Sequence, residues 1–256
     1  MLKQTTIQPQ RFANLVAVEF RKLFATVPNR ILIVAALVTP ALIAVAVTLE
    51  YETLFQGEAA GWLVMAYFVQ TATQYLLPPL IILLVATEWG TRSAMTTFTL
   101  TPRRERVIAA KAVVTLVAST VAWLVSSATA IAADAVAFNM HGHDLSLLWH
   151  PADEVAKGYF GFLLLMAAAF AVALLIHNTA AAISVVLVVP IIIQIAIQFG
   201  GLLGRIAEWL SLSTQVQQVL MAGDTASWPK LVVATIAWVV VPLVAGTSWT
   251  MRREAS

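Results

Sequence analysis

Six long apolar stretches, separated by shorter polar ones, constrain the fold of this chain more than any other feature. A helix of about 20 apolar residues crosses the roughly 30 Å hydrocarbon core of a bilayer. In lipid, only helices and closed barrels satisfy every backbone hydrogen bond. We therefore predict an all-α integral membrane protein, folded as a single domain over residues 1-256. The predicted transmembrane helices cover residues 31-49, 62-87, 113-138, 158-176, 180-199 and 231-249.

Composition supports the membrane class. Hydrophobic residues make up 60% of the chain and charged residues only 11%, whereas about 25% of the residues of a soluble domain are charged. Cysteine is absent, which excludes disulfides and thiolate metal sites.

Lys and Arg are distributed unevenly among the predicted loops. If the N-terminus lies inside, 12 of the 15 Lys and Arg residues fall in inside segments and three in outside loops. Because cytoplasmic loops carry an excess of positive residues, we predict six crossings with both termini in the cytoplasm. Abundant Ala and Val favour a bacterial source, so the predicted location is the bacterial inner (cell) membrane.

Residues 1-30 combine charges with apolar side chains at helical spacing, which predicts an amphipathic helix in the membrane interface. Charged residues, among them Glu19 and Lys22, occupy the other positions. A short tail helix that contacts no lipid is the alternative. The apolar residues of the predicted helix are Phe12, Leu15, Val16, Phe20, Leu23 and Phe24.

The last predicted outside loop, residues 200-230, is long and partly amphipathic. Leu202, Ile206, Trp209 and Leu210 share one face of a helix. We predict one or two short re-entrant helices that lie at, or dip into, the outer leaflet.

The segment that joins the second and third predicted transmembrane helices, residues 88-111, is the longest basic and polar passage between two apolar ones. It holds five Lys and Arg residues against two acids. Residues 91-100 suffice for a helix of about three turns, and Pro102 ends it. We predict a cytoplasmic docking element for another protein, with an ordinary loop that only fixes topology as the alternative.

The order of residues in this segment is specific. A transmembrane helix ends in Glu, Gly-Thr follows, then a Thr- and Leu-rich helix and Thr-Pro-Arg-Arg, and Ala-Ala-Lys opens the next helix. In this order, and in the Glu-Phe-Arg-Lys-Leu sequence at 19-23, the chain resembles the permease subunits of ABC transporters of the type-2 exporter class. The residues that carry the resemblance in the loop are Glu88, Gly90, Thr91, Thr97, Leu100, Pro102, Arg103, Arg104 and Lys111.

The resemblance implies an activity and a set of partners. It implies two permease subunits, identical or homologous, above two copies of a cytoplasmic ATPase that binds ATP and Mg²⁺. Residues 1-30 then hold an interfacial elbow helix, and residues 88-111 hold a coupling helix seated in the ATPase. The implied activity is export of a hydrophobic or amphipathic drug, antimicrobial peptide, lipid or glycan. The implied ATPase-coupling residues are Glu88, Gly90, Thr91, Arg92, Thr96, Thr97, Phe98, Pro102, Arg103 and Arg104.

The sequence contains no phosphate-binding loop of the form G-x-x-x-x-G-K-[ST]. We therefore predict that the chain is not itself an enzyme and binds no cofactor. Two other classes remain open: a non-transporting immunity or scaffold protein, and a secondary transporter. Internal inverted repeats are typical of secondary transporters, and no convincing repeat is found in this sequence.

Few polar side chains interrupt the predicted transmembrane helices. Gln70 and Gln74 share one helix face, as do Gln194 and Gln198, and Asp134 lies near the outer end of the third helix. In lipid such groups seek interhelical partners or a watery cavity. We predict that they line a substrate path or a subunit interface; simple packing is the alternative for the glutamines, and wetting at the surface for Asp134.

Three histidines, His141, His143 and His150, cluster in the second outside loop near acidic residues. His and carboxylate groups bind zinc in many proteins, but this spacing matches no recognised zinc motif. We predict no metal site.

Overall fold

The computed structural model describes residues 11–55, 62–90, 104–144 and 152–252, and all regular secondary structure within them is helical. The helices on the first half of the chain are α1 (Phe12–Lys22), α2 (Val27–Leu49), α3 (Tyr51–Phe55), α4 (Trp62–Gly90) and α5 (Arg104–His141). Those on the second half are α6 (Ala152–Leu175), α7 (Thr179–Phe199), α8 (Gly201–Leu210), α9 (Leu212–Val216), α10 (Trp228–Thr235) and α11 (Val241–Arg252).

Six segments are long and apolar enough to cross a membrane, as predicted, and the architecture fits a multi-pass membrane protein. The segments correspond to α2, α4, α5, α6, α7 and the run from Thr225 through α11. The third begins well before the predicted boundary at 113, because the Arg104–Lys111 stretch is already helical and buries Val107 and Ala110. These residues belong to α5 and not to a loop.

Local capping explains where several helices begin. The Thr26 hydroxyl accepts a hydrogen bond from the Asn29 N–H at 3.4 Å, and Pro28 occupies the first turn of α2. Asn178 caps α7 in the same way, at 3.0 Å from the Ala181 N–H. Such caps satisfy N–H groups that have no partner within the helix. Pro28 suits this position, because the first turn of a helix has no use for its missing N–H donor.

The helices cross the bundle in alternating directions. We call one side of the bundle the α1 side; it holds α1, the start of α2, the end of α4 and the start of α5. The other side, which holds the loops after α2, α5 and α7, is called the opposite side. Helix α4 is central, because it packs against α2, α5, α6 and α7. Among the 18 most apolar consecutive residues of each segment, 61% are buried in α4 but only 6% in α7. Helix α7 therefore presents an apolar surface outward.

The short helices that follow α7 pack into the bundle. Leu212, Val216 and Leu220 form a buried cluster with Ala168, which lies well inside α6 and not at its end. At the start of the last segment, hydrogen bonds from the Ser227 hydroxyl and the Ala226 N–H lower the pKa of the Asp224 carboxyl. The 200-230 stretch thus contains short helices, as the sequence predicted.

A glycine in α11 allows a close backbone contact with the end of α6. A Cβ built on Gly246 would lie 2.6 Å from the backbone carbon of Leu174 and 2.7 Å from the Leu175 nitrogen. Backbone atoms cannot move aside as a flexible side chain can, so only glycine lets α11 approach the end of α6 here.

We predict that Gly246→Ala destabilises the protein, by about 1–3 kcal/mol for the steric overlap. The matched control is Gly158→Ala on α6, whose Cβ would meet only the terminal Met221 Cε, at 3.3 Å. Alanine favours a helix over glycine by about 1 kcal/mol, so this control should melt at or above the wild-type temperature. Thermal unfolding in detergent, followed by circular dichroism, measures both. Equal melting of the two variants would contradict the close contact.

Candidate functional site: a buried ion pair and a cavity

A lysine is buried on the α1 side of the bundle. Lys111 in α5 is only 3% exposed, and its Nζ lies 2.8 Å from Glu19 Oε2 in α1. The same Nζ donates a hydrogen bond to the Leu84 carbonyl of α4, at 2.7 Å. A buried charge is tolerated only when it is paired and hydrogen-bonded. One ammonium group therefore ties α1, α4 and α5 together.

The Glu19 carboxylate has a second cationic partner. Lys22 Nζ lies 2.6 Å from Glu19 Oε1, one turn along α1. The Lys22 carbonyl in turn accepts a hydrogen bond from Asn29 Nδ2 in the first turn of α2, at 3.0 Å. Helix α1 is thus fixed to the bundle through polar contacts at its C-terminal end.

The predicted apolar face of α1 divides in two. Leu15 and Leu23 are buried, on the same side as Glu19. Phe12, Phe20 and Phe24 are 41–46% exposed on the outside. The apolar spacing predicted the helix but did not indicate that a carboxylate lies on its inner side. The available signal was Lys111, because a charge that lies among apolar residues requires an acidic partner.

The predicted coupling residues fall largely outside the described part of the chain. Thr91, Arg92, Thr96, Thr97, Phe98, Pro102 and Arg103 all lie there. The structure places Glu88 and Gly90 in the last turn of α4 and Arg104 at the first position of α5, without describing their side chains. The coupling helix itself remains a prediction.

A cavity of about 710 Å³ lies toward the opposite side of the bundle. Its wall is formed by α4, α5, α6, α7 and the short helices after α7. Binding sites for small molecules typically measure about 300–1,000 Å³, so a molecule of that class fits in the space.

Three of the four predicted glutamines line this cavity. Gln70 Nε2 donates to Ser127 Oγ at 3.0 Å, and Gln194 Nε2 donates to Thr214 Oγ1 at 2.5 Å. Gln74 lines it as well. The sequence showed only that the glutamines of one helix share a face. The fold adds that α4 and α7 line the same cavity, so that glutamines from both helices lie in its wall. Gln198 lies elsewhere, in a separate depression on α7 that it shares with Gln194.

Trp123 is a cavity residue that the sequence analysis missed. It is 6% exposed, and its Nε1 has no hydrogen-bond acceptor in the part of the chain that the structure describes. Its ring centroid lies 5.1 Å from that of Tyr159. The available signal was its position in the middle of a predicted transmembrane helix, because a tryptophan that anchors the membrane interface lies near a helix end.

The backbone departs from α-helical geometry at two turns in the second half of the chain. Gln217–Met221 and Ile236–Val240 are π-helical turns, and Gln217 and Met221 line the cavity. Trp238, within the second turn, donates from Nε1 to the Leu210 carbonyl at 2.8 Å. Such turns are rare and occur often at functional sites, which agrees with the position of the first turn in the cavity wall; none of residues 236-240 is among the described residues that line the cavity.

Asp134 does not line the cavity. It is fully buried, and neither carboxylate oxygen has a hydrogen-bond partner among the described residues. It lies on α5 between Ala130 and Phe138, which belong to an apolar cluster with Tyr51 and Met65. The structure therefore excludes wetting at the protein surface as the account of this side chain.

The described histidines of the opposite side are half-buried beside Tyr51. His141 Nδ1 lies 3.0 Å from Glu52 Oε1, and its ring stacks on Tyr51 at 5.4 Å. His143 contacts the Tyr51 and Phe138 rings, and His150 lies outside the described residues. Within the described ranges, no group of three or more His, Asp and Glu side chains is arranged to hold a metal ion.

Comparisons with protein-family models, with curated proteins and with solved structures found no match to this chain. What is established is therefore the helical architecture with six segments suited to a membrane. The function has to be argued from the geometry of the ion pair and the cavity.

We predict that Lys111→Met lowers the stability markedly, because it leaves the Glu19 carboxylate buried beside Lys22 alone. Breaking a buried pair costs about 3–5 kcal/mol, whereas replacing both members by apolar residues is often near neutral. The double variant Glu19→Leu/Lys111→Met should therefore recover most of the loss. Thermal unfolding in detergent provides the measurement. Lys22→Met is the control, because the Lys22 side chain is 34% exposed and its loss should matter little. Additive losses in the double variant would contradict the pairing.

Proposed function

We propose that this chain is the membrane permease subunit of an ATP-driven exporter that moves a hydrophobic or amphipathic molecule across the cell membrane. ATP hydrolysis takes place in a separate ATPase subunit. The observation that supports this most directly is the arrangement of α5. Its first residues, 104-111, form the end of the basic segment 88-111 and hold the Lys111–Glu19 ion pair, and its middle, at Trp123, lines the cavity.

The sequence of α5 suits the transmission of movement. Its 38 residues extend about 57 Å at 1.5 Å per residue, and they include neither proline nor glycine. By contrast, prolines lie inside α2, α4 and α7, and each removes a backbone hydrogen bond. A displacement applied at the start of α5 therefore moves the cavity wall with little loss to bending.

The ion pair couples α1 to that displacement. Because Lys111 contacts both Glu19 and the Leu84 carbonyl, α1, the end of α4 and the start of α5 move as one unit. In this proposal α1 is the elbow helix, its exposed phenylalanines rest in the membrane interface, and the segment between α4 and α5 seats a coupling helix in the ATPase.

Two further parts complete the proposed assembly. The outward apolar surface of α7 suits a second copy of the permease, so the complex contains two permease and two ATPase subunits. In this proposal α8 and α9 are the re-entrant helices, and support comes from α9, whose Leu212 and Val216 pack in one cluster with Ala168, well inside α6. Both termini then lie in the cytoplasm of a bacterial cell.

Asp134 favours a second candidate, a secondary transporter driven by protons. Buried acids in membrane segments are functional by default, and this one has no partner among the described residues. The two candidates differ in energy source. Transport into inverted vesicles that requires ATP supports the exporter, whereas transport sustained by a pH gradient alone supports the second candidate.

We predict that the tagged chain, purified from its native membrane, retains an ATPase that contains a phosphate-binding loop. Scrambling residues 91-98 should abolish its recovery, because that segment forms the proposed docking surface, while membrane insertion stays normal. Scrambling residues 145-149 on the opposite side is the matched control and should leave recovery unchanged. Equal recovery with all three chains, measured by quantitative mass spectrometry, would contradict the coupling role.

The proposed sidedness is testable because the chain has no cysteine. We predict that Ser93→Cys reacts with a membrane-impermeant maleimide only after intact cells are opened, whereas Ser146→Cys reacts in intact cells. The two sites lie in segments that the proposal places on different sides of the membrane. Labelling of Ser93→Cys in intact cells would refute the topology and, with it, docking of a cytoplasmic ATPase there.

A further inference from the structure

We propose that the cavity beside Trp123 binds an uncharged amphipathic molecule that carries hydrogen-bond acceptors, such as an alkyl glycoside, and that this molecule enters sideways from the lipid between α4 and α7. The proposal builds on the exporter function only in taking this ligand as the transported substrate. Binding itself is argued from the residues of the cavity.

The charge of the ligand follows from the wall. None of the described residues that line the cavity is Asp, Glu, Lys, Arg or His. A charge moved from water into such a site is costly unless an opposite charge receives it. Aromatic faces offer a cation about 2 kcal/mol when the site is desolvated, which does not replace a carboxylate. An uncharged ligand avoids this cost.

The hydrogen-bonding groups of the wall specify an acceptor. Trp123 Nε1 is buried and unpaired in the described structure, and an indole N–H can only donate. A buried donor left without an acceptor costs about 1–3 kcal/mol. Gln74 adds an amide that both donates and accepts, and Gln217 adds another. A molecule with several hydroxyl or ether oxygens satisfies these groups together.

The remaining wall accounts for the apolar part of the ligand. Phe162, Leu165, Pro190 and Val216 line the same space, so a hydrocarbon tail fits beside the polar groups. Burial of apolar surface then contributes to affinity at about 25 cal/mol per Å² before the entropic costs of binding.

The exposed residues of the wall mark the entrance. Tyr67 and Tyr75 are 56% and 54% exposed, Ile191 on α7 is 50% exposed, and all three line the cavity. Tyr67, Thr71 and Tyr75 recur every fourth residue along α4, within a segment suited to span a membrane. The Thr71 hydroxyl donates to the Tyr67 carbonyl at 2.6 Å, whereas the exposed hydroxyls of Tyr67 and Tyr75 need partners that lipid tails do not supply. A passing amphipathic molecule supplies them, so the mouth opens laterally.

The test uses the full chain in lipid nanodiscs, without an ATPase. Three photoreactive probes share an eight-carbon tail bearing a diazirine and differ in the head group: glucosyl, trimethylammonium or phosphate. We expect saturable labelling of residues 64-75 and 190-194 by the glucoside, competed by unlabelled octyl glucoside. The two charged probes should label these peptides at least tenfold less. Non-saturable labelling of the exposed face of α2 by all three probes serves as the internal lipid control.

Three variants identify the groups that recognise the ligand. Trp123→Phe keeps the ring and removes the N–H, and Gln74→Leu removes the amide; each should weaken glucoside binding about three- to tenfold, which corresponds to one neutral hydrogen bond. Gln198→Leu lies outside the cavity and should bind as wild type. Gln74→Glu introduces a carboxylate and should raise labelling by the trimethylammonium probe.

Saturable labelling by a charged probe that equals labelling by the glucoside would overturn the proposal, as would the absence of saturable labelling. A disulfide between two copies of Tyr67→Cys that forms in the nanodisc and blocks the glucoside would show that a second copy fills the mouth, which also overturns it. Because no nucleotide or ATPase is present, loss of glucoside binding leaves the exporter function standing. Binding of the glucoside, combined with failure of any ATPase to be recovered with the tagged chain from its native membrane, would retain the site and remove the exporter.

Discussion

The organisation of this protein depends on one buried ammonium group. Lys111 lies inside an apolar bundle, where an unpaired charge is not tolerated, and the fold supplies it with the Glu19 carboxylate and the Leu84 carbonyl. To do so, α1 has to turn a charged residue inward and leave its phenylalanines outside. The position of α1 against the bundle, and the registry of the end of α4 with the start of α5, follow from that requirement. Directional polar contacts fix these helices more specifically than non-directional apolar packing does.

The apolar pattern was enough to predict six helices, because only a fully hydrogen-bonded backbone is stable in lipid. It did not give the start of α5, since residues 104-111 are charged and resemble loop sequence, although they are helical and pack against α1. Nor did it give the cavity. Helical spacing shows which residues share a face on one helix, as with Gln70 and Gln74, but not which helices meet. The convergence of α4, α5, α6 and α7 depends on tertiary packing, and so the meeting of Gln74, Gln194 and Trp123 was beyond the sequence.

The inner face of α5 carries an unusual series of buried polar atoms without partners among the described residues, namely Thr115 Oγ1, Ser119 Oγ, Trp123 Nε1 and both oxygens of Asp134. These atoms are not equivalent. A hydroxyl can rotate to bond the carbonyl four residues back in its own helix, as Thr120 does with Leu116 at 2.8 Å and Thr129 with Val125 at 2.9 Å. Thr115 and Ser119 therefore have a local solution that requires only a change of rotamer.

Trp123 and Asp134 have no such local solution. The indole N–H extends too far from the backbone to return to its own helix. A carboxylate can only accept, and the N–H groups in the interior of α5 are already used within the helix, so each group needs a partner from outside α5. Their separation of 11 residues is about 16 Å along the helix, which places Trp123 at the cavity and Asp134 in the apolar cluster nearer the opposite side. Leaving either group unpaired costs about 1–3 kcal/mol or more. Helix α5 is stiff and is fixed at one end by an ion pair, and its inner face carries these two groups without partners among the described residues. Any ligand or movement that pairs the two groups therefore stabilises the helix further. That property distinguishes α5 from a helix that serves only to fill the core.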